Sequence, residues 1–234
     1  TLESISDKYI FFLRPRRFGK SLHLSMLEFY YGIQHKDRFG DLFGEYFIGQ
    51  PENITPLRNS YYILKFNFSA INTQIENEII QKFDAEVERG IQDFTSAYPI
   101  FSEETVNSVL QVKGNVEMFK KFFSMFLQTV PDGKIYLLID EYDHFTNELF
   151  AFNTDHFREI VSRNGWVRKF YETIKIYMGE GIIDRFFATG VTPVTLDSMT
   201  SGFNVAKNIT LESEFHNMAG FTESELRGML QNTI

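Results

Sequence analysis

Residues 11–21, with the sequence FFLRPRRFGKS, constrain the chain more than any other stretch. They continue an apolar run that begins at Tyr9, pass through a basic loop and reach Gly-Lys-Ser, where a helical pattern over residues 20–31 begins. Phosphate-binding loops have this order of strand, loop, Gly-Lys-Ser and helix. Backbone N–H groups at a helix N-terminus, with the positive end of the helix dipole behind them, form an anion site. The sequence therefore predicts a phosphate site at this junction.

Three residues of this stretch have distinct predicted roles. Gly19 lets the backbone approach a phosphate, Lys20 reaches the β- and γ-phosphates, and the Ser21 hydroxyl holds Mg²⁺. The pattern G-x-x-x-x-G-K-[ST] has its first glycine where this chain has Arg14, and Pro15 removes one backbone donor from the loop. A tight turn before a helix is the alternative interpretation of Gly-Lys-Ser. The strand before it, the helix after it and the arginines of the loop favour phosphate binding.

A second polar group follows another predicted strand. Residues 135–139 are wholly apolar and of strand length, and Asp140 and Glu141 come directly after them. In open α/β folds, ligands bind at the carboxyl ends of the strands. Asp140 is expected to hold Mg²⁺ through its water shell, and Glu141 to orient or deprotonate the attacking water. A solvated acidic turn after a buried strand is the alternative.

Some further polar residues near these strand ends have both a functional and a structural interpretation, and one has a structural interpretation. Thr189, at the end of a fourth predicted strand, senses a γ-phosphate or satisfies its own backbone, and Thr192 shares these alternatives. Arg16 and Arg17 neutralise phosphates or pair with acidic residues. Asp143 is predicted to cap the N-terminus of the helix that follows it.

Hydrophobic periodicity predicts alternating strands and helices, and hence an α/β fold with a mostly parallel sheet. The strand over 61–68 alternates apolar and polar residues, which indicates a sheet edge, whereas 135–139 is expected to be central. Charges on most faces over 74–94 predict a solvated helix, and Thr222 with Glu225 predicts a capping box. The other predicted elements are strands over 8–13, 185–189 and 209–211, and helices over 20–31, 39–49, 95–114 with a loop at Tyr98-Pro99, 115–128, 156–178 and 222–230.

Composition limits the classes of function. The net charge of 23 − 31 = −8 argues against non-specific nucleic-acid binding by the bulk of the chain, and the basic residues over 14–20 are a local exception. The sequence has no cysteine, which excludes disulfides, thiol catalysis and Cys-ligated zinc, and its five histidines show no ligand spacing. No apolar run approaches a membrane span and no signal peptide is visible, so we expect a cytoplasmic protein that does not enter a membrane. The first residue is not Met, and we expect the chain to be part of a longer one.

Four segments carry a resemblance to a known family: RPRRFGKS at 14–21, LIDEYD at 138–143, TGVT at 189–192 and GFTESE at 220–225. They resemble the bacterial AAA-ATPase-like domain family, a group of the ASCE-type P-loop ATPases. In this resemblance 14–21 is the Walker A segment and 135–141 contains the Walker B segment. It implies a three-layer P-loop NTPase fold in which a mostly parallel central sheet is flanked by helices, with a helical insertion. It also implies that the fourth strand separates the Walker B strand from the P-loop strand.

The resemblance implies ATP and Mg²⁺ as ligands, and the absence of an Asn-Lys-x-Asp motif favours adenine over guanine. Its implied site comprises nucleotide-binding residues, metal ligands and catalytic residues. The implied catalytic residues are Glu141 and Lys20, and the implied metal ligands are Ser21 and Asp140. The implied nucleotide-binding residues are Arg16, Arg17, Phe18, Gly19, Lys20, Ser21, Leu22 and Thr189. We expect one domain over residues 1–234, with a core over about 8–195 and the start of a C-terminal extension or lid over 196–234.

Three functional hypotheses follow. The first is an ATP-binding domain that hydrolyses ATP with Mg²⁺. The second is a non-hydrolysing nucleotide switch that regulates an effector domain or a partner protein, since longer members of the resembled family often carry a C-terminal PD-(D/E)XK nuclease-like domain. The third is a nucleic-acid interaction module that uses the basic loop. AAA-like relatives often complete their site with an arginine from a neighbouring subunit, so a homo-oligomer is a further expectation.

Overall fold

The computed structural model describes residues 2–71, 73, 75, 78–161, 165–193 and 205–231. Within them a five-stranded, all-parallel sheet lies between two layers of helices. The strands are β1 (Tyr9–Leu13), β2 (Tyr62–Asn67), β3 (Ile135–Asp140), β4 (Ile183–Gly190) and β5 (Lys207–Asn208). The helices are α1 (Lys20–Tyr31), α2 (Phe39–Phe43), α3 (Ile79–Ala97), α4 (Glu103–Leu110), α5 (Asn115–Thr129), α6 (His144–Phe152), α7 (Thr154–Val161), α8 (Trp166–Gly179) and α9 (Glu223–Gln231), with short 3₁₀ segments at Ile33–Arg38, Phe47–Gly49 and Ser213–Phe215.

The strand order, β2-β3-β4-β1-β5, confirms the predicted α/β fold and the separation of β1 from β3 by β4. It also confirms that β2 lies at an edge and β3 inside the sheet. In register, Phe12 of β1 lies opposite Thr189 of β4, and Ala188 of β4 lies opposite Ile139 of β3. Because all strands are parallel, the carboxyl ends of β1, β3 and β4 meet at one edge of the sheet.

Successive side chains of each strand alternate between two apolar cores. In β1, Phe11 and Leu13 pack on the face covered by α3, α5 and α8, whereas Ile10 and Phe12 pack on the face covered by α1 and α2. The buried phenylalanines of α5 lie in the first core, as a structural reading of its periodicity predicts. The two cores fix the sheet from both sides, so the loops at its carboxyl edge start from a rigid base.

Strand β2 leaves one side of its backbone unpaired by another strand. Tyr62 donates its N–H to Lys134 of the neighbouring strand segment, so the N–H of Ile63 faces the open edge. The hydroxyl of Tyr98 accepts a hydrogen bond from the Ile63 N–H at 2.8 Å and donates to Oε1 of Gln34 at 2.5 Å. Side chains therefore satisfy part of this edge.

Three predicted helices are wrong in extent or character. The predicted helix over 156–178 is divided, because α7 ends at Val161 and α8 begins at Trp166; residues 162–164 lie outside the described part of the chain. The spacing of apolar residues continues across the break and so does not reveal it. The residue that marks the break in the sequence is Gly165, since a Cβ there would overlap the carbonyl of Ile160. The predicted solvated helix over 74–94 begins at Ile79 as α3.

Helix α3 is amphipathic rather than solvated. One face buries a row of apolar side chains, Ile79, Phe83, Val87, Ile91 and Phe94, against the sheet, and its charges occupy the other face. The predicted helix over 39–49 is also shorter, because α2 ends at Phe43 and leaves Tyr46 and Phe47 exposed. The predicted capping box of α9 is present: Thr222 N–H donates to Glu225 Oε2 at 2.7 Å, and Glu225 N–H donates to Thr222 Oγ1 at 3.3 Å. No helix of the described residues combines the length and the apolar character needed to cross a membrane.

Candidate functional site

Residues 14–19, which we call the basic loop, connect β1 to the first turn of α1. Gly19 lies at the N-cap of α1 with φ +80°, and Arg17 also has a positive φ, of +68°. Among the described residues, no atom beyond the chain neighbours and the backbone of α1 lies within 4 Å of the place where a Cβ of Gly19 would be. Glycine is therefore favoured at position 19 by the left-handed backbone, which other residues adopt at a cost, and not by lack of space.

Lys20 points into the basic loop and is only 4% exposed. Its Nζ donates to the carbonyl of Arg14 at 3.1 Å and to the carbonyl of Pro15 at 3.2 Å. Oε1 of Glu141 lies 3.3 Å from the same Nζ. The ammonium group thus donates two hydrogen bonds to the basic loop and forms an ion pair with the residue that follows β3.

Asp140 ends β3 and is only 3% exposed. Its Oδ1 accepts a hydrogen bond from the hydroxyl of Thr189 at 2.7 Å, so the Thr189 hydroxyl bonds a side chain and not its own backbone. Glu141 follows with φ +51°, a left-handed conformation that is uncommon for a residue with a side chain. The structure therefore brings Lys20, Asp140, Glu141 and Thr189 to the same edge of the sheet.

Arg14 occupies the position of the first glycine in the general phosphate-loop pattern, and its guanidinium bonds the segment after β5. It donates to the carbonyl of Thr210 at 2.9 Å and to the carbonyl of Phe215 at 3.0 Å, and it lies 4.3 Å from the ring centre of Phe12. Partial burial lowers the pKa of Arg14 from its usual value. Arg14 thus attaches the segment after β5 to the basic loop, a role that its sequence position does not reveal.

The remaining predicted nucleotide-binding side chains are exposed. Arg16 and Arg17 make no hydrogen bond or ion pair to any residue that the structure describes, so neither is paired with an acidic residue there. Phe18 lies beside Gly220, where a Cβ would come within 2.8 Å of its ring. Leu22 is 68% exposed on the first turn of α1. These side chains are accessible around the mouth of the site.

His23, on the first turn of α1, is a partly buried polar residue to which sequence analysis assigned no role. Its ring packs near the rings of Phe12 and Phe187, at centroid distances of 6.2 and 5.5 Å. Nε2 is buried and has no hydrogen-bond partner among the described residues. Burial lowers the pKa of His23 to about 4, so the imidazole beneath this turn is neutral at ordinary pH.

Asp143 corrects a prediction, since its carboxylate does not cap α6. It is fully buried and accepts hydrogen bonds from the N–H of Val191 at 3.0 Å and the N–H of Thr192 at 2.7 Å. Nδ2 of Asn147 donates to it at 2.7 Å. Asp143 therefore joins the residues after β3 to those after β4. Sequence reasoning missed this role, because the donors lie almost 50 residues away in the chain.

One comparison with known proteins gives a match. A family model described as "Predicted AAA-ATPase" matches residues 1–200. The chain belongs to this family. No curated protein and no solved structure matches the chain. Membership in the predicted AAA-ATPase family supports nucleotide binding at the level of the class, and the all-parallel sheet between two helical layers is consistent with a P-loop NTPase fold.

Ser21 and Asp140 carry oxygen atoms of the kind that Mg²⁺ binds in nucleotide sites. No group of three or more His, Asp or Glu side chains that could hold a metal occurs among the described residues. Mg²⁺ in nucleotide sites needs fewer protein ligands, because phosphates and water supply the rest. Within the described chain, Oδ2 of Asp140 and the hydroxyl of Ser21 have no hydrogen-bond partner. Both oxygens are therefore available as ligands.

Proposed function

We propose that this chain binds ATP together with Mg²⁺ and hydrolyses it. The observation that carries the proposal is the 3.3 Å contact between Lys20 Nζ and Glu141 Oε1. It joins a cation at the N-terminus of a helix after β1 to a carboxylate after β3. Asp140, a second carboxylate, precedes Glu141 directly. A phosphoryl-transfer site requires such a combination of an anion-binding helix end, a metal ligand and a water-orienting group.

Each residue has one task in this proposal. The N–H groups around Gly19 and the ammonium of Lys20 bind the phosphates, and Lys20 exchanges Glu141 for a phosphate oxygen. Ser21 and Asp140 would hold Mg²⁺, which neutralises charge on the phosphates when bound. Glu141, released from Lys20, accepts a hydrogen bond from the attacking water and orients it. Arg16 and Arg17 are exposed beside this site and add positive charge at its mouth.

The proposal is tested by measuring Mg-ATP affinity by calorimetry and phosphate release in parallel. We expect Lys20→Ala to weaken ATP binding and to abolish release, because it removes the ammonium that replaces water around the phosphates. Lys120→Ala is the matched control, since Lys120 pairs with Glu117 on the surface of α5 at 2.7 Å. Equal ATP affinities for the wild type and Lys20→Ala would refute the proposal.

A non-hydrolysing switch is the second candidate, and the Lys20–Glu141 ion pair is the observation that favours it. A phosphate that draws Lys20 away from Glu141 changes the contacts of the residues after β3, with or without turnover. A switch predicts that ATP binding alters amide exchange over 140–143 while phosphate release equals that of Glu141→Gln. Release by the wild type above that of Glu141→Gln, measured over a range of protein concentrations, favours hydrolysis instead.

A further inference from the structure

Asp143 has an unusual environment for a carboxylate. Its exposure is 0%, and no cationic side chain of the described chain pairs with it. Burying a charged group in this way is costly unless hydrogen bonds replace its water. Three donors do so: the N–H groups of Val191 and Thr192 and the Asn147 amide. The Thr192 hydroxyl also lies 3.2 Å from Asp143, but it is closer, at 2.6 Å, to Oδ1 of Asn147. All of these groups can donate, which suits an acceptor with two oxygens.

The residues around the end of β3 and those around the end of β4 are joined at three further points. We call residues 140–143 the carboxylate turn and residues 189–192 the β4 loop. Tyr142 of the carboxylate turn donates its N–H to the Thr189 carbonyl at 3.0 Å and its hydroxyl to the Thr192 carbonyl at 2.7 Å. Thr189 in turn donates its hydroxyl to Asp140 at 2.7 Å. Residues on both sides of Glu141 are thus attached to the β4 loop.

Glu141 needs such support because its backbone is left-handed, with φ +51°. This conformation costs a residue with a side chain on the order of 1 kcal/mol or more and persists where the surroundings hold it. Glu141 itself contacts Lys20 on its other side. The hydrogen bonds of Asp143 and Tyr142 therefore fix the backbone that carries the Glu141 side chain.

We propose that Asp143 is a positioning residue of the ATPase site. It holds the carboxylate turn against the β4 loop and thereby keeps Glu141 in the conformation that faces Lys20. Asp143 does not touch the substrate in this account; it acts through Glu141. The inference rests on the proposed function for its effect on hydrolysis, but not for its effect on the conformation of Glu141.

Asp143→Asn is the variant that tests this role. It keeps the size of the side chain but replaces one acceptor by an NH₂ group, which then faces the N–H donors of Val191 or Thr192. Asp84→Asn is the matched control: Oδ1 of Asp84 accepts hydrogen bonds from the N–H of Asn115 at 3.2 Å and its Nδ2 at 2.6 Å, between α3 and α5. The two variants lose similar bonds, and only one of them adjoins Glu141.

We expect Asp143→Asn to lower the rate of ATP hydrolysis on the order of tenfold to a hundredfold, as the loss of a supporting group does at comparable sites, with ATP affinity equal to that of the wild type or higher. Asp84→Asn keeps the wild-type rate. In the double variant Asp143→Asn, Glu141→Gln, hydrolysis falls no further than in Glu141→Gln alone, because Asp143 acts through Glu141. A wild-type rate for Asp143→Asn, or a full second loss in the double variant, overturns the inference.

A crystal structure of Asp143→Asn without nucleotide separates this inference from the proposed function. We expect the φ of Glu141 to leave the left-handed region and the contact with Lys20 to be lost. Retention of both overturns the inference, whatever the wild-type protein does with ATP. Should Asp143→Asn not fold, Thr192→Val removes one hydroxyl donor, leaves both backbone donors in place and is expected to shift Glu141 in the same direction by less. An unchanged Glu141 in that variant also overturns the inference.

Discussion

The Nζ atom of Lys20 lies 3.3 Å from Oε1 of Glu141, although the two residues belong to segments after different strands. Lys20 is almost fully buried, whereas Glu141 is partly accessible. The cation proposed to bind phosphate and the carboxylate proposed to orient water are therefore paired with each other in this structure. Nucleotide binding must compete with this pairing, which makes the affinity of Lys20 for phosphate depend on Glu141.

Glu141→Gln is expected to separate binding from turnover. The neutral amide interacts less strongly with the Lys20 ammonium, so ATP affinity stays equal to the wild type or rises. Hydrolysis falls on the order of a hundredfold or more, because the carboxylate that orients the attacking water is lost. Calorimetry and phosphate release measure the two effects. Glu180→Gln, on an exposed residue after α8, is the control and leaves both values unchanged. A Glu141→Gln variant with wild-type turnover contradicts the assigned role.

Thr189→Val is expected to weaken magnesium binding and so to raise the Mg²⁺ concentration that ATP binding requires. The substitution removes the hydroxyl that donates to Oδ1 of Asp140 at 2.7 Å and leaves a side chain of similar size. Loss of such a supporting hydrogen bond lowers metal affinity on the order of tenfold to a hundredfold. The measurement is the Mg²⁺ concentration that gives half-maximal ATP binding. Thr189→Ser keeps the hydroxyl and is expected to behave as the wild type; equal magnesium dependence in all three proteins speaks against the role of Thr189.

Gly190→Ala is expected to destabilise the fold, because a Cβ at this position would overlap Oδ1 of Asp143 and the ring of Tyr142. The carboxylate turn and the β4 loop must then move apart, at a cost of about 1–3 kcal/mol in the free energy of unfolding. Urea denaturation measures this cost. Gly179→Ala is the control, since nothing lies within 4 Å of its Cβ position at the end of α8. Similar stabilities for the two variants would show that the contact relaxes freely.

Arg14→Gly restores the glycine of the general phosphate-loop pattern, yet we expect it to loosen the segment after β5. It removes the hydrogen bonds to the carbonyls of Thr210 and Phe215, and bonds from a charged group are each worth about 1.5–3 kcal/mol. Hydrogen exchange over residues 207–216 is expected to accelerate. Arg16→Gly, in the same loop but without a partner among the described residues, leaves exchange there unchanged. Unaltered protection in Arg14→Gly contradicts this role.

His23 is expected to make stability depend on pH. Burial lowers its pKa to about 4 in the folded chain, whereas an unfolded histidine titrates near 6.5. Between these values the unfolded state binds more protons, so stability rises with pH; the contribution is complete above about pH 6.5 and is lost as the pH falls towards 4. The loss reaches about 3 kcal/mol.

Urea denaturation of the wild type and His23→Leu between pH 7 and pH 4 measures this contribution as the difference between the two curves. We expect the variant to gain stability relative to the wild type as the pH falls, because leucine takes up no proton. Parallel curves would show that His23 is not the group that titrates.

The sequence was sufficient to predict those elements whose signal lies in a short stretch of chain. Strand β3 is a wholly apolar run of strand length, and Gly19 and Lys20 follow a strand and open a helix. The resemblance then supplied the position of β4 between β1 and β3, which periodicity cannot give. The break between α7 and α8 was missed because the apolar spacing of Ile160 and Val167 continues across it.

The parts of the site that the sequence did not reveal depend on distant partners. Arg14 bonds a carbonyl 196 positions away, and Asp143 bonds an amide 48 positions away. An arginine in a basic loop and an aspartate before a helix have simpler local explanations, phosphate binding and capping. Only the packing of β4 against β3 brings Val191 within reach of Asp143, so no local pattern could have indicated it.

The hydroxyl of Tyr98 has a consequence for how copies of the chain can meet. An incoming strand that aligns with β2 requires the N–H of Ile63, and Tyr98 already occupies it. Lateral growth of the sheet through this residue must first displace a phenol that is itself anchored to Gln34. Self-association that leaves this hydrogen bond intact cannot extend the sheet through Ile63 of β2.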